Sequence, residues 1–441
     1  MPRSFAAFLS AARSALAAPA GQRPTPLTFV VGNESADLDS LCSALLLAYF
    51  RSHTPPHHVL HIPLSNLARA DLRLRPELHA ALAGGMPGAG SGNNSGSGSG
   101  GADEVALESL LTLSDLPADL TAADSRWILV DHNALTGDLA TRFAASVVGC
   151  IDHHVDEGVV PTAATTTTTE SLPPPRIIER CGSCASLVVE HSRDAWRALA
   201  ANSPDAATDR VLARLALAPI LVDTANLQSA SKTTDVDRQA VAVAESFLQP
   251  GGDGSSRSVD VSAGDGRAYD RTQFYNELSR RKNDIAGLTY DELLRKDYKQ
   301  WREGNVHSGL TLGMATVVQG MGYLLAHTGD QDALLTSLRA FARQRQLDLV
   351  AVMTVQHDEE GGFGRQLLLW AFTPRAVRAA QTFAAAQQAM LGLASWEDGR
   401  LDDNTDGGAE EWRTCWQQTR TEYSRKQVAP YLREAMRSVL R

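Results

Sequence analysis

Nowhere in the 441 residues does an uninterrupted apolar run reach the roughly 18 residues that a membrane-spanning helix needs, so no membrane partner is expected. Aromatic residues are scarce at 6%, which leaves few rings on which nucleobases could stack. Positive charge is in deficit as well: 41 Lys and Arg stand against 51 Asp and Glu, a formal net charge of -10. That balance argues against a nonspecific nucleic-acid binder. It does not exclude a polyanionic substrate, because metal ions and a few local cations can reverse the sign of a cleft. Cysteine is sparse and odd in number, five in all, without a secretory signal, which predicts a reducing, cytoplasmic setting. Acidic residues are missing from the Arg/Ala/Ser-rich segment 1–22. That stretch reads as an amphipathic helix, with Phe5, Phe8, Leu9 and Leu16 on one side against the first domain. A mitochondrial transit peptide is the minority alternative.

What the chain does have is a repeated grammar. The apolar run 28–32 leads into Asn33, Asp37, Asp39 and Ser40; the run 127–130 leads into Asp131-His132-Asn133. The run 147–151 leads into Asp152-His153-His154, and 219–222 into Asp223-Thr224. Each run suits a strand buried on both faces. In open parallel sheets ligands collect at the carboxyl ends of strands. Hard carboxylate oxygens and borderline imidazole nitrogens brought together there make a divalent-metal site. Asp37 and Asp39 alternate, so an extended segment would turn both to one side, while a turn after Gly32 is equally open.

Helical patterns at 41–50, 185–191 and 235–248 alternate with these strands and with a further one at 57–64. The expectation is an α/β fold with a doubly wound, mainly parallel sheet. Residues 84–101, rich in Gly, Ser and Asn, and 162–175, with five consecutive threonines, read as insertions that cannot pack. A Gly-rich linker at 249–268 then separates a first domain, 1–248, from a second, 269–441. The second carries helical patterns at 274–284, 334–344 and 377–391 and strand patterns at 347–355 and 366–372. His53, His57, His58 and His61 read as a solvated loop and strand edge.

The four motifs, Asn-x-x-x-Asp-x-Asp-Ser at 33–40, Val-Asp-His-Asn at 130–133, Ile-Asp-His-His at 151–154 and Leu-Val-Asp-Thr at 221–224, arrive in order. They resemble those of the DHH phosphoesterase superfamily. Within it the chain is similar to the fungal cytosolic exopolyphosphatases, the prune proteins and the family II inorganic pyrophosphatases, from about residue 28 onward. The resemblance implies a DHH domain followed by a smaller α/β DHH-associated domain. It implies two divalent ions, Mn²⁺ or Mg²⁺ with Co²⁺ also admissible, held by Asp37, Asp39, Asp131, His153 and Asp223, with Asp131 as the bridge. It places His154 on the substrate, Asp152 behind an imidazole, and Asp131, His154 and Asn33 at the chemistry. Asn33 stands where the pyrophosphatase branch carries histidine and the exopolyphosphatase and prune branches carry asparagine; Asp131-His132-Asn133 is closer to the pyrophosphatase version.

Cys181-Gly182-Ser183-Cys184 has redox spacing but no preceding tryptophan. The resemblance reads it instead as a Gly-Ser turn opening a helix, with Ser183 and the first amides meeting a substrate anion. In the second domain Asp297-Tyr298-Lys299, followed by Trp301, and Ser424-Arg425-Lys426-Gln427 resemble the family's phosphate-binding segments, giving Lys299, Arg425 and Lys426 that role. Arg280, Arg281, Lys282 and His307 could extend a basic channel. The implied activity is exopolyphosphatase, releasing orthophosphate from the ends of inorganic polyphosphate, by a monomer. Alternatives are a pyrophosphatase or short-chain polyphosphatase, an oligonucleotide or cyclic-nucleotide phosphodiesterase, and a prune-like regulatory binding protein. Gly361-Gly362-Phe363-Gly364 lacks the histidine that nucleotide-cleaving relatives place after their glycines.

Overall fold

A computed structural model of the chain describes residues 3–54, 59–82, 107–162, 173–248, 269–305, 308–357, 362–403 and 410–441. The expected insertion 84–101, most of 162–175, the linker 249–268, His57, His58, His307 and Gly361 lie outside the described residues. The chain forms two compact units, Met1–Asp284 and Ile285–Arg441.

The first unit is built on five parallel strands: β1 (Leu27–Val31), β2 (His61–Leu64), β3 (Ser125–Val130), β4 (Val147–Asp152) and β5 (Arg176–Ile178). Their order is β2-β1-β3-β4-β5. The chain leaves β1 to one side for β2 and to the other for β3, so the carboxyl ends of β1 and β3 form the topological switch point where ligands collect. Alternate residues face two cores. Val30, Ile128, Val130 and Ile151 pack with α2 (Leu38–His53), α5 (Cys184–Asn202) and α6 (Ala206–Asp223). Phe29, Val31, Trp127, Leu129 and Cys150 pack on the other face with Leu16 of α1 (Phe5–Ala17) and Phe143 of α4 (Gly137–Phe143). The acid-free N-terminus is thus a packed helix, with Phe5, Phe8, Leu9, Ala12 and Leu16 buried. Shorter α3 (Pro76–Leu82), with α7 (Asp235–Ser246) and α8 (Arg271–Asn283), completes the unit.

One expectation is corrected here. Residues 219–222 are not a strand before Asp223 but the last turn of α6, which runs through Pro219. Helix α6 is apolar almost all round because it is enclosed by other helices, and a short apolar run inside such a helix has no periodicity that distinguishes it from a buried strand. By compactness the chain divides between Asp284 and Ile285, so the stretch 269–284, which the sequence reading groups with the second domain, falls in the first unit. Phe274 and Leu278 of α8 are buried in the core of the first unit.

The second unit carries α9 (Tyr290–Lys296), β6 (Tyr298–Glu303), β7 (Leu310–Val317), α10 (Met321–Thr328), α11 (Gln331–Gln344), β8 (Leu349–Thr354), β9 (Gln356–His357), β10 (Phe363–Ala371), α12 (Pro374–Leu391), β11 (Leu393–Ser395), β12 (Trp412–Gln418) and α13 (Arg425–Leu440). Its mixed sheet has the order β11-β12-β10-β8-β7-β6, with β9 beside β10. Along β8, Leu349, Ala351 and Met353 face α12 and α13, while Val350 and Val352 face α9, α10 and α11. Among the described residues no helix is long and apolar enough to cross a membrane.

Candidate metal centre

The site begins at a glycine. A Cβ on Gly32, just past β1, would lie 2.5 Å from the Ser40 Cβ and 2.8 Å from the Ser40 carbonyl oxygen. Only hydrogen at that position lets the first turn of α2 close on the strand end. Asp37 is the N-cap of α2 and accepts the Ser40 N–H at 3.0 Å. The turn after Gly32, one of the two readings left open, is therefore the conformation adopted, with Asp39 in the helix's first turn. Ser40 Oγ accepts the Asn33 N–H at 3.1 Å and donates to Asp131 Oδ2 at 2.7 Å.

Asp131 follows β3 with φ 61°, a left-handed backbone that a side-chain-bearing residue adopts only when its surroundings enforce it. They do so on three sides. Its N–H donates to the Ile151 carbonyl at 3.1 Å and to Cys184 Sγ at 3.2 Å, and its carbonyl accepts from Asn33 Nδ2 at 3.1 Å. Asn33 Nδ2 also donates to Asp131 Oδ2 at 2.7 Å, while Asn33 Oδ1 accepts from the Ser35 N–H and hydroxyl at 2.9 and 2.6 Å. Asn33 thus acts on Asp131 as a donor. Its own oxygen is engaged by Ser35.

With Oδ2 of Asp131 held by Ser40 and Asn33, Oδ1 is left toward the histidines, 3.2 Å from His153 Nε2 and 3.7 Å from His154 Nδ1. His153 sends Nδ1 to the Cys181 carbonyl at 3.1 Å. A carbonyl only accepts, so Nδ1 carries a hydrogen and Nε2 is the ring atom turned toward Asp131 and, 3.9 Å away, toward Asp39 Oδ2. Two carboxylates converging on one imidazole nitrogen call for positive charge there, supplied by a proton on the ring or by a metal ion that the deprotonated nitrogen ligates. His154 Nδ1 is 2.8 Å from Asp152 Oδ1, which leaves Nε2 as its outward atom on a ring 27% exposed. Asp131, His153 and His154 bring one donor atom each within 4.8 Å of one another and form a candidate acidic/His metal site.

Two buried carboxylates support this group by opposite means. Burial pushes the Asp39 carboxyl well above its ordinary range, and the charges of Asp131, Asp223 and Asp37 add to that while His153 opposes it. Asp39 Oδ1 accepts from Ser183 Oγ at 2.8 Å and from the Ala185 N–H at 2.9 Å; Oδ2 accepts the Cys184 N–H at 2.7 Å. The anion at the N-terminus of α5 is therefore Asp39 itself. Ser183, expected as a substrate contact, is fully buried and gives its hydroxyl to Asp39 instead. For Asp152 burial also raises the carboxyl, but hydrogen bonds from His154 and Asn133 and the His154 charge outweigh it, leaving a net lowering. Asn133 Nδ2 reaches Asp152 Oδ2 at 2.6 Å. Asn133, Ser40 and Cys184 lie inside the motifs read from the sequence, which give them no role at the metal centre.

Asp37 and Asp223 stand at the start of α2 and the end of α6, where their charges act on Asp39. Burial pushes the thiols of Cys181 and Cys184 up, and all five cysteines are free and buried, which removes the redox reading. His132 turns Nδ1 back to the Val130 carbonyl at 2.9 Å.

The second unit joins the two expected phosphate-binding segments to each other. Ser424 caps α13, and Arg425 places Nη2 2.6 Å from Asp297 Oδ1 and donates from Nη1 to the Asp297 carbonyl at 2.9 Å, two residues before Lys299 of β6. Arg280 and Arg281, expected to extend a basic channel, lie in the first unit and pair with Glu277 at 2.9 and 2.5 Å.

Family models match two regions: the DHH family, N-terminal domain, over residues 28–220, and the DHHA2 domain over 276–435. A protein named as a candidate exopolyphosphatase from Schizosaccharomyces pombe is 33% identical over 419 residues, covering 93% of this chain and 91% of that protein. Exopolyphosphatase PRUNE1 of Bos taurus is 26% identical over 434 residues, covering 97% of this chain and 79% of its own. A crystal structure from Methanococcus jannaschii, titled as a candidate family II inorganic pyrophosphatase, aligns with TM-score 0.48 and 17% identity over 93% of this chain and 99% of its own.

Proposed function

The chain belongs to the DHH family, with a DHHA2 domain after the DHH domain, and on that premise we propose that it is a metal-dependent exopolyphosphatase. It would cleave the terminal phosphoanhydride of inorganic polyphosphate and release orthophosphate. The observation that carries this reading is the extent of the likeness to the candidate exopolyphosphatase, 33% identity across 93% of the chain, on a site whose donors fit a divalent ion.

The fit rests on charge. Asp131 Oδ1 and Asp39 Oδ2 stand 3.2 and 3.9 Å from His153 Nε2, and two buried carboxylates beside one imidazole are a donor set that suits a divalent cation. Asp37, Asp39, Asp131, His153 and Asp223 would hold two ions, and their oxygen-rich set suits Mg²⁺ or Mn²⁺, the imidazole favouring Mn²⁺. When bound, such ions supply an acidified water and neutralise phosphoryl oxygens. The protein's own groups do the rest. Asp152 fixes the His154 ring through Nδ1, so that Nε2 is the atom presented to a phosphate oxygen, donating when the ring is protonated. Asn33 and Ser40 hold Asp131 so that it does not turn away from the donors it faces. In the second unit Lys299, Arg425 and Lys426 would bind the phosphates of the chain, Arg425 as a fork and the lysines as point charges. Free, buried cysteines agree with a reducing, cytoplasmic setting.

Orthophosphate release from pyrophosphate, tripolyphosphate and long polyphosphate, side by side with Mn²⁺ or Mg²⁺, tests the reading. Release from long chains that Asp131→Asn lowers by more than the roughly 100-fold typical of losing an outer support is the expected outcome. Activity confined to pyrophosphate would move the chain to the pyrophosphatase reading.

A further inference from the structure

Asp237, the third residue of α7, is fully buried, belongs to none of the sequence motifs and takes no part in the scheme above. Its carboxylate is surrounded by donors. Oδ1 accepts from the Gly182 N–H at 3.1 Å, the Ser183 N–H at 3.3 Å and Ser186 Oγ at 2.6 Å. Oδ2 accepts from the Gly182 N–H at 2.9 Å, the Thr234 N–H at 2.7 Å and the Thr234 hydroxyl at 2.8 Å. Four of these six contacts go to the turn between β5 and α5 and to the first turn of α5, not to its own helix.

That turn is where the donors of the metal centre are oriented. The Cys181 carbonyl takes the His153 Nδ1 hydrogen, which sends Nε2 toward Asp131 and Asp39. Ser183 Oγ and the Cys184 and Ala185 amides hold both oxygens of Asp39. The fit is close: a Cβ on Gly182 would lie 2.6 Å from Thr224 Cγ2 and 3.0 Å from both Asp237 Oδ2 and the Lys232 carbonyl oxygen. A displacement of this turn moves His153 and Asp39 together.

We propose that Asp237 is the positioning residue of the metal centre: through the Cys181–Ser183 turn it sets the His153 ring and the Asp39 carboxylate, and with them the affinity for the divalent ion. The proposal rests on the metal-dependent reading of the site and deepens it. Groups that orient metal ligands from behind typically govern affinity by about 10- to 100-fold. A purely structural role is the competing account, because Asp237 also closes a capping box with Thr234 at the start of α7.

The test uses the full chain, stripped with a chelator and titrated with Mn²⁺ in a calorimeter, with the thermal midpoint of the metal-free protein measured in parallel. Asp237→Asn keeps the shape but turns an amide N–H₂ toward N–H and O–H donors. Gly182→Ala shifts the turn and removes no carboxylate. Thr234→Ala weakens the cap alone. We expect Mn²⁺ affinity to fall about 10- to 100-fold in Asp237→Asn and Gly182→Ala and to stay at the wild-type value in Thr234→Ala. Unchanged affinity in Asp237→Asn, with a midpoint lowered as in Thr234→Ala, overturns the proposal and leaves Asp237 a helix cap. If Asp237→Asn does not fold, Gly182→Ala decides on the same readout. Wild-type protein that binds Mn²⁺ but releases no orthophosphate overturns the exopolyphosphatase reading and leaves the affinity comparison standing; wild-type protein that binds no Mn²⁺ overturns both.

Discussion

His61 shows how one side chain on β2 ties stability to pH. Its Nδ1 lies 2.8 Å from the Val59 carbonyl, and Arg51 Nε donates to its Nε2 at 3.1 Å, so the ring is held neutral with a cation against it. Burial lowers its pKa to about 4 from an ordinary 6.5, and the Arg51 charge adds to the lowering. The unfolded chain therefore binds more protons than the folded one between these values. Stability is fully present above pH 6.5, falls as the pH drops through that window, and the contribution is gone below about 4. Urea unfolding at pH 7 and pH 5 should find the wild type losing about 2 kcal/mol more than His61→Gln does. Equal losses in the two proteins would assign the acid sensitivity to the carboxylates. At the metal centre, residue-level reading from sequence reached Asp131, His153 and His154 because their motifs pair strand ends with ligand chemistry. Nothing in Cys-Gly-Ser-Cys tells that the Ser183 hydroxyl and the first amides of α5 meet Asp39.

Elements were legible where periodicity and chemistry agreed. Strands β3 and β4 announce themselves as apolar runs that stop at an Asp and β1 as one that stops at Gly32-Asn33, and α2 begins at the N-cap aspartate a few residues further on. The end of α6 failed by the same rule applied too widely: Pro219 to Val222 is apolar and ends at an Asp, yet it is enclosed by α2, α5 and α7 and costs the helix one backbone hydrogen bond at Pro219. Strands β6 and β12 were missed for the opposite reason, since Tyr298–Glu303 and Trp412–Gln418 carry Lys, Gln, Arg and Thr at positions that read as helix face or loop. The junction of β1 with α2 makes the sharpest element-level prediction. A methyl group on Gly32 meets backbone atoms of Ser40 that have no side-chain freedom to yield. Gly32→Ala should lift the first turn of α2, cost about 1–3 kcal/mol in urea unfolding, and loosen Ser40 from Asp131 so that Mn²⁺ affinity falls with stability. Wild-type stability in Gly32→Ala would show that the turn can be rebuilt without its contact.

At the scale of the molecule the two units carry different chemistry. Every donor of the candidate metal centre lies in Met1–Asp284, while Lys299, Arg425 and Lys426 lie in Ile285–Arg441. The chain as a whole is acidic, with a formal net charge of -10, so its attraction for a polyanion has to be local. From Cys415 to the C-terminus six basic residues face two acidic ones, and Asp297 draws one of them, Arg425, to the edge of β6 beside Lys299. This division predicts separable defects. Charged hydrogen bonds to phosphate are worth about 1.5–3 kcal/mol each, so Arg425→Ala with Lys426→Ala should raise KM for polyphosphate by about two to four orders of magnitude. Mn²⁺ affinity in the same variant should equal that of the wild type, since no ligand to the ion is touched. Asp131→Asn should do the reverse, abolishing metal binding. Calorimetric Mn²⁺ titration and orthophosphate release, measured on the same two variants, read the two units separately. A loss of Mn²⁺ affinity in the Arg425/Lys426 variant would mean that the second unit takes part in holding the ion, and the division of labour would have to be redrawn.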